Sequence, residues 1–148
     1  MFGKMTKPLD AYKAVSTDIA VQTASPHQLI LMLFDGAMLA ITHAKTHMEA
    51  GQIEAKGLAI SKAVEIIGSG LKVSLNLEAG GQLSENLCAL YDYMIVRLVR
   101  ANLKNQVALL DEVASLLGDI RSAWVGITPT HTSLAQNAKS TPDVAVAA

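Results

Sequence analysis

Cysteine is almost absent from this sequence, since Cys88 is the only one among 148 residues. A single thiol excludes an intrachain disulfide, which suits a reducing compartment. The first residues, Met1 to Pro8, also lack the long apolar run of a signal peptide. The most apolar stretch, Leu29 to Ile41, is interrupted by Asp35 and is shorter than the roughly 20 residues of a membrane span. We therefore expect a cytosolic protein with no membrane insertion.

Charge is also scarce. Charged residues make up 17% of the chain and the net charge is −1, whereas an average protein has about 25% charged residues. The lysines and arginines form no basic stripe of the kind that binds phosphates, so no nucleic-acid partner is expected. Hydrophobic residues reach 51%. A small domain of this composition is expected to expose some of its apolar surface.

Proline is missing from residues 27–128, so this stretch contains no strong helix breaker. No sustained alternation of apolar and polar residues predicts a strand. The apolar periodicity instead predicts four helices, at about residues 26–50, 52–76, 83–104 and 106–125. Short connections make neighbouring helices antiparallel. The predicted fold is all-α, an antiparallel up-down four-helix bundle.

Local signals place some of the helix ends. Ser25 is a good N-cap, Pro26 suits the first helical position, and Gln28 completes a capping box. Gly51 predicts the end of this first helix. Asn105 is predicted to cap the start of the fourth helix.

The composition divides the chain into three parts. Residues 1–24 are predicted to form an N-terminal cap or strap, whose apolar side chains, Tyr12 among them, can dock on the bundle. Residues 25–126 form the bundle itself. Residues 127–148 are rich in Thr, Ser, Ala and Asn with little to bury, so this tail is predicted to be disordered.

The second and third helices each carry two apolar stripes when positions are sorted at about 100° per residue. On the second helix, the predicted core stripe is Ile53, Ile60, Val64, Ile67 and Leu71, and the other stripe is Ala59, Ile66, Gly70, Val73 and Leu77. On the third helix, the core stripe is Leu87, Leu90, Tyr91, Met94, Leu98 and Ala101, and the other is Cys88, Ile95, Val99 and Leu103, with Val96 beside it.

The second stripes have three interpretations. They are simply wide core faces, or a groove that receives an amphipathic helix of a partner, or the interface of a homodimer. In the groove interpretation, the small residues Ala59 and Gly70 let the partner helix come close.

Catalytic and metal-binding patterns are weak. His43 and His47 lie one helical turn apart, a spacing that can bind zinc, but no further ligands accompany them. Asp35 and Asp92 are single carboxylates in apolar stretches, expected at a solvated edge or bonded to nearby backbone. We therefore predict no enzyme activity, no metal and no cofactor.

Several motifs together resemble one known family. The run from Thr23 to Ala37, TASPHQLILMLFDGA, is similar to the first-helix signature of the FliS family. Leu90-Tyr91-Asp92-Tyr93, followed by Arg97-Leu98 and Ala101-Asn102, resembles its third helix, and Ala123-Trp124 the end of its fourth. The resemblance covers about Tyr12 to Trp124, in order and at sensible spacing.

This resemblance implies a flagellin export chaperone. Such a bundle holds the C-terminal segment of flagellin, prevents premature polymerisation, and delivers its client to the flagellar type III export gate. It also implies that a tyrosine matching Tyr12 covers part of the flagellin groove.

Overall fold

A computed structural model describes residues 24–127, apart from the side chains of residues 77–79. Within this range the chain forms α1 (Pro26–Glu49), α2 (Ile53–Glu65), a π-helical segment (Ile66–Lys72), α3 (Leu77–Lys104) and α4 (Val107–Val125). The described residues contain no strand. The predicted antiparallel four-helix bundle is confirmed, and the predicted cap and tail lie almost wholly outside the described residues.

The start of α1 follows from its sequence. The backbone N–H of Gln28 donates to Ser25 Oγ over 3.2 Å, and the backbone N–H of Ser25 donates to Gln28 Oε1 over 2.9 Å. Pro26 occupies the first turn, so the capping box is complete as predicted. After the helix, Gly51 adopts a φ of 74°, a left-handed conformation that favours glycine.

The centre of the bundle is α1, which packs against α2, the π-helical segment and α4. Its 24 residues are long and apolar enough, by length and composition, to cross a membrane. The run from Leu29 to Ile41, which is too short to span a membrane, covers only part of this helix. Its length therefore underestimates how far the apolar character of α1 extends. The core helix of a soluble bundle passes the same test, and Leu33, Phe34 and Ala37 on α1 are buried in the protein core.

The core contains side chains from the predicted core stripe of α3 and from α4. Met94 and Leu98 on α3 and Leu110, Val113 and Leu117 on α4 are all fully buried. Burying a large aliphatic side chain contributes about 1.5–3 kcal/mol relative to leaving it exposed. The core is therefore the main source of stability.

Aromatic and polar contacts tie α1 to α4. The rings of His27 and Trp124 stack with centroids 5.1 Å apart. The indole Nε1–H of Trp124 donates to the His27 carbonyl over 3.1 Å, and His27 Nε2 lies 2.9 Å from the Trp124 carbonyl oxygen. Further along, Arg121 Nε donates to Asp35 Oδ1 over 2.6 Å. Asp35 is exposed, in agreement with the solvated edge predicted for it, and its partner is Arg121 on α4.

A buried lysine closes the end of α3. Lys56 is 4% exposed, and its ammonium donates to the Asn102 carbonyl over 2.9 Å and to Asn105 Oδ1 over 2.7 Å. A cation at a helix C-terminus is favoured by the helix dipole. Asn105 has a φ of 51° and ends α3. The prediction that it caps α4 is wrong, since Gln106 holds that position without a side-chain bond.

Lys56→Met is expected to lower the free energy of unfolding by about 1–3 kcal/mol, because both acceptors lose a charged donor while the aliphatic volume is nearly kept. Urea denaturation measures the change. The matched control is Lys62→Met on the exposed face of the same helix, which should stay within about 0.5 kcal/mol of the parent. Equal stabilities for the two variants would contradict the role assigned to Lys56.

Candidate functional site

An apolar groove runs between α2 with its π-helical extension and α3, and it has a volume of about 450 Å³. Its lining comes from both sides: Ile60, Ser61, Val64, Glu65, Gly68 and Ser69 on one, and Ile95, Val99, Asn102 and Leu103 on the other. We call this set the apolar groove.

The outer face of α3 continues the apolar groove toward solvent. Val96 is 63% exposed, Val99 47% and Leu103 76%. These three side chains, with Ile95, Arg100 and Lys104, line a second shallow depression of about 400 Å³. On and beside the stripe that periodicity singled out on α3, Val96, Val99 and Leu103 therefore lie at the surface, whereas Cys88 and Ile95 are half-buried.

The π-helical segment forms the end of the other wall of the groove. Ile66 and Ile67 are both fully buried, and Gly70 is buried with them. Gly68 lines the groove instead, where an added Cβ would lie 3.4 Å from Ile95 Cδ1. The two walls of the groove therefore lie close together at Gly68 and Ile95.

Several sequence assignments on this wall are therefore wrong. Ile66 and Gly70 were placed on the second, outward stripe, but they are buried. Ala59 packs against the core and does not line the groove. Val64, assigned to the core, lines the groove, and Ile53, also assigned to the core, is 62% exposed.

The remaining predicted positions are Val73, Leu77 and Tyr12. Val73 is exposed beyond the end of the π-helical segment and is not part of the lining. The side chain of Leu77 and the whole of Tyr12 lie outside the described residues. Their predicted roles remain predictions.

One ion pair joins the π-helical segment to α3. Lys72 Nζ lies 2.6 Å from Asp92 Oδ1, and both side chains are substantially exposed. The hydrogen bond to Asp92 is the main reason that the pKa of Lys72 is raised. Asp92 is exposed, in agreement with the solvated edge predicted for it, and its partner is this lysine. An exposed pair of this kind adds little stability.

A polar network on the opposite flank of α3 fixes that helix to α4. The Tyr93 hydroxyl donates to Glu112 Oε2, Arg97 Nε donates to Glu112 Oε1 over 2.8 Å, and the Arg97 guanidinium lies 5.5 Å from the Tyr93 ring centroid. The hydrogen bond from Tyr93, followed by that from Arg97, lowers the pKa of Glu112. Sequence reasoning missed this network. Tyr93 and Arg97 lie four residues apart, a spacing that places them on one side of α3. Their common partner, Glu112, lies on another helix, so the sequence does not show it.

Nothing in the described range brings the candidate metal ligands together. His43 is exposed, and His47 Nδ1 lies 2.6 Å from Gln52 Oε1. Among residues 24–127 no group of three or more His, Cys, Asp or Glu side chains could hold a metal ion. The apolar groove is therefore the candidate site.

The fold and the site together define a class: an antiparallel helical bundle with an exposed apolar groove, the type of surface that receives an amphipathic segment of another protein. The chain belongs to the FliS family. Residues 8–131 match the family described as flagellar protein FliS, which confirms the resemblance seen in the sequence motifs.

Known members of the family are similar in sequence to this chain over most of its length. The sequence is 51% identical over 121 residues to the flagellar secretion chaperone FliS of Salmonella typhimurium strain LT2, covering 82% of this chain and 90% of that protein. It is 46% identical over 122 residues to the flagellar secretion chaperone FliSB of Pseudomonas aeruginosa, covering 82% and 96%. It is 38% identical over 117 residues to the flagellar secretion chaperone FliS of Bacillus subtilis strain 168, covering 79% and 83%.

Proposed function

We propose that this protein is a cytoplasmic export chaperone that holds the C-terminal segment of flagellin in the apolar groove. Binding keeps that segment from polymerising prematurely and presents the client to the flagellar export gate. The activity is binding, with no catalytic step. Relatives named flagellar secretion chaperones supply the client class, and the groove supplies the surface.

The observation that carries this proposal is the exposure of apolar side chains along α3. Leu103 and Val96 are more than half exposed on a helix whose other face is fully buried in the core. Exposed apolar side chains that line a groove gain free energy when an amphipathic helix removes them from water. We propose that the contact residues are Ile95, Val96, Val99 and Leu103, together with Val64 and Gly68 on the facing wall.

Binding to full-length flagellin and to flagellin without its C-terminal segment tests the function. We expect a soluble complex with the full-length client and none with the truncated one, measured by size-exclusion chromatography and calorimetry. A chain that forms a tight self-dimer and ignores both flagellins would contradict the proposal, and would favour a homodimeric structural module.

The N-terminal residues offer a second test. We propose that Tyr12 and its apolar neighbours compete with flagellin for the groove, so that the free protein must open before it binds. Apparent affinity then falls by the fraction that is open. Deleting Met1 to Ala20 is expected to raise the association rate at least about threefold, and to lower solubility by uncovering apolar surface.

Stopped-flow mixing with one flagellin C-terminal peptide measures this rate. The control is deletion of residues 130–148, a segment of similar length and low apolar content that is expected to leave the rate unchanged. An unchanged or slower association rate after the N-terminal deletion would exclude a competing lid.

A further inference from the structure

The apolar outer face of α3 has two cations along its edge. Arg100 and Lys104 line the same depression as Val96, Val99 and Leu103, and both are exposed. In the part of the chain that the structure describes, neither forms an ion pair. By contrast, Arg97 on the same helix pairs with Glu112.

The positive charge of Arg100 and Lys104 lies beside the apolar groove, in the second depression on the outer face of α3. The facing rim carries Glu65, which lines the groove from α2. Lys72 also borders α3, but Asp92 neutralises it. The chain as a whole has a net charge of −1, so the positive character at Arg100 and Lys104 is local. An apolar surface with such a rim is electrostatically matched to a segment that carries carboxylates.

Neither the helix dipole nor a twofold interface accounts for both cations. A cation in the last turn of a helix is favoured by the helix dipole, which accounts for Lys104 at the end of α3 but less for Arg100 one turn earlier. A second copy of the chain could cover the face through a twofold interface, where the same patch meets itself. Arg100 and Lys104 of the two copies would then approach each other, and like charges at an interface are costly.

We infer that the segment bound on this face is an amphipathic helix with carboxylates along one flank, and that this flank lies against Arg100 and Lys104 while its apolar stripe covers Val96, Val99 and Leu103. This rests on the proposed function and adds to it the chemistry and orientation of the client segment. Arg100 and Lys104 steer the client by charge, and the apolar side chains hold it.

Stopped-flow association with a labelled flagellin C-terminal segment tests the inference. The variant Arg100→Gln with Lys104→Gln is expected to associate about three- to tenfold more slowly than the parent at about 20 mM salt, and within about twofold of it at about 500 mM, where screening is strong. Dissociation should change less than about twofold, since charges at a rim act mainly on association.

Arg100→Gln alone is compared with the control Lys62→Gln, because Lys62 is an exposed cation on α2 outside the groove. The control is expected to keep the parent rate within about twofold. Replacing the client's Asp and Glu residues singly by Asn and Gln then locates the partner. At least one of these replacements should slow association with the parent protein but not with the variant in which Arg100 and Lys104 are already neutral.

The outcomes separate this inference from the proposed function. Failure of the parent protein to bind the segment at any salt would overturn both. A parent that binds, and whose rate is unchanged by neutralising Arg100 and Lys104 at low salt, would overturn the charge match alone. A self-dimer that Val99→Asp dissociates would place a second copy on this face and would also overturn it.

Discussion

Val99→Asp is expected to weaken binding of the flagellin C-terminal segment by at least about 30-fold, equal to about 2 kcal/mol, with almost no change in the melting temperature of the free protein. Val99 lines the apolar groove and is 47% exposed, so in the free protein the new carboxylate stays hydrated. In the complex it must lose that hydration against an apolar surface, which costs free energy.

Calorimetry measures the affinity, and circular dichroism measures the melting of the free protein. Val125→Asp is the matched control, because Val125 is also 47% exposed but lies at the end of α4, away from the groove. That variant should bind flagellin normally, although a carboxylate near a helix C-terminus costs a few tenths to about 1 kcal/mol of stability. If the Val99→Asp variant unfolds, the stripe that contains Val99 belongs to the core. If the variant folds and binds flagellin normally, the flagellin-binding surface lies elsewhere on the protein.

Ile66→Asp is expected to unfold the bundle at ordinary temperatures. The sequence pattern placed Ile66 on an outward stripe, where a carboxylate would disturb only binding, but the side chain is 0% exposed. A buried carboxylate without a partner costs more than the roughly 2–5 kcal/mol expected for removing a core side chain, as in Leu98→Ala. That cost is comparable to the whole stability of a small domain.

Thermal denaturation followed by circular dichroism measures this effect. The comparison with Val99→Asp is direct, since both variants place the same carboxylate on helices that border the groove, and only one places it in the core. A cooperative melt within a few degrees of the parent protein would show that the π-helical segment opens enough to expose position 66.

Most of the fold was predictable because its causes are local. The capping box at Ser25 and Gln28 acts over three residues, and the lack of proline between residues 27 and 128 leaves long helices possible. The regular 100° spacing holds along α3 after its kink at Gly81, so the pattern correctly separated Leu98 in the core from Val99 and Leu103 at the surface. Half of the candidate groove could thus be read from periodicity alone.

The other half was predicted wrongly because the second helix has two apolar stripes, and the sequence alone does not decide which one faces the core. The buried residues Ile60, Ala63, Ile67 and Gly70 recur every three or four residues, which is ordinary helical spacing. The buried face is therefore rotated away from the predicted core stripe, which leaves Val64 in the groove and Ile53 exposed. Which stripe faces inward depends on how this helix packs against α1 and α3.

The sequence by itself determined the helices, the core faces of α3 and α4, and the family to which the chain belongs, because capping, periodicity and motif order are properties of neighbouring residues. Only the tertiary structure decided the partners of Lys56, Asp35 and Glu112, each of which lies on a different helix from its partner. It also decided which two walls meet to form the groove. Contacts between distant residues depend on the relative rotation of packed helices, and that rotation is set by the whole core.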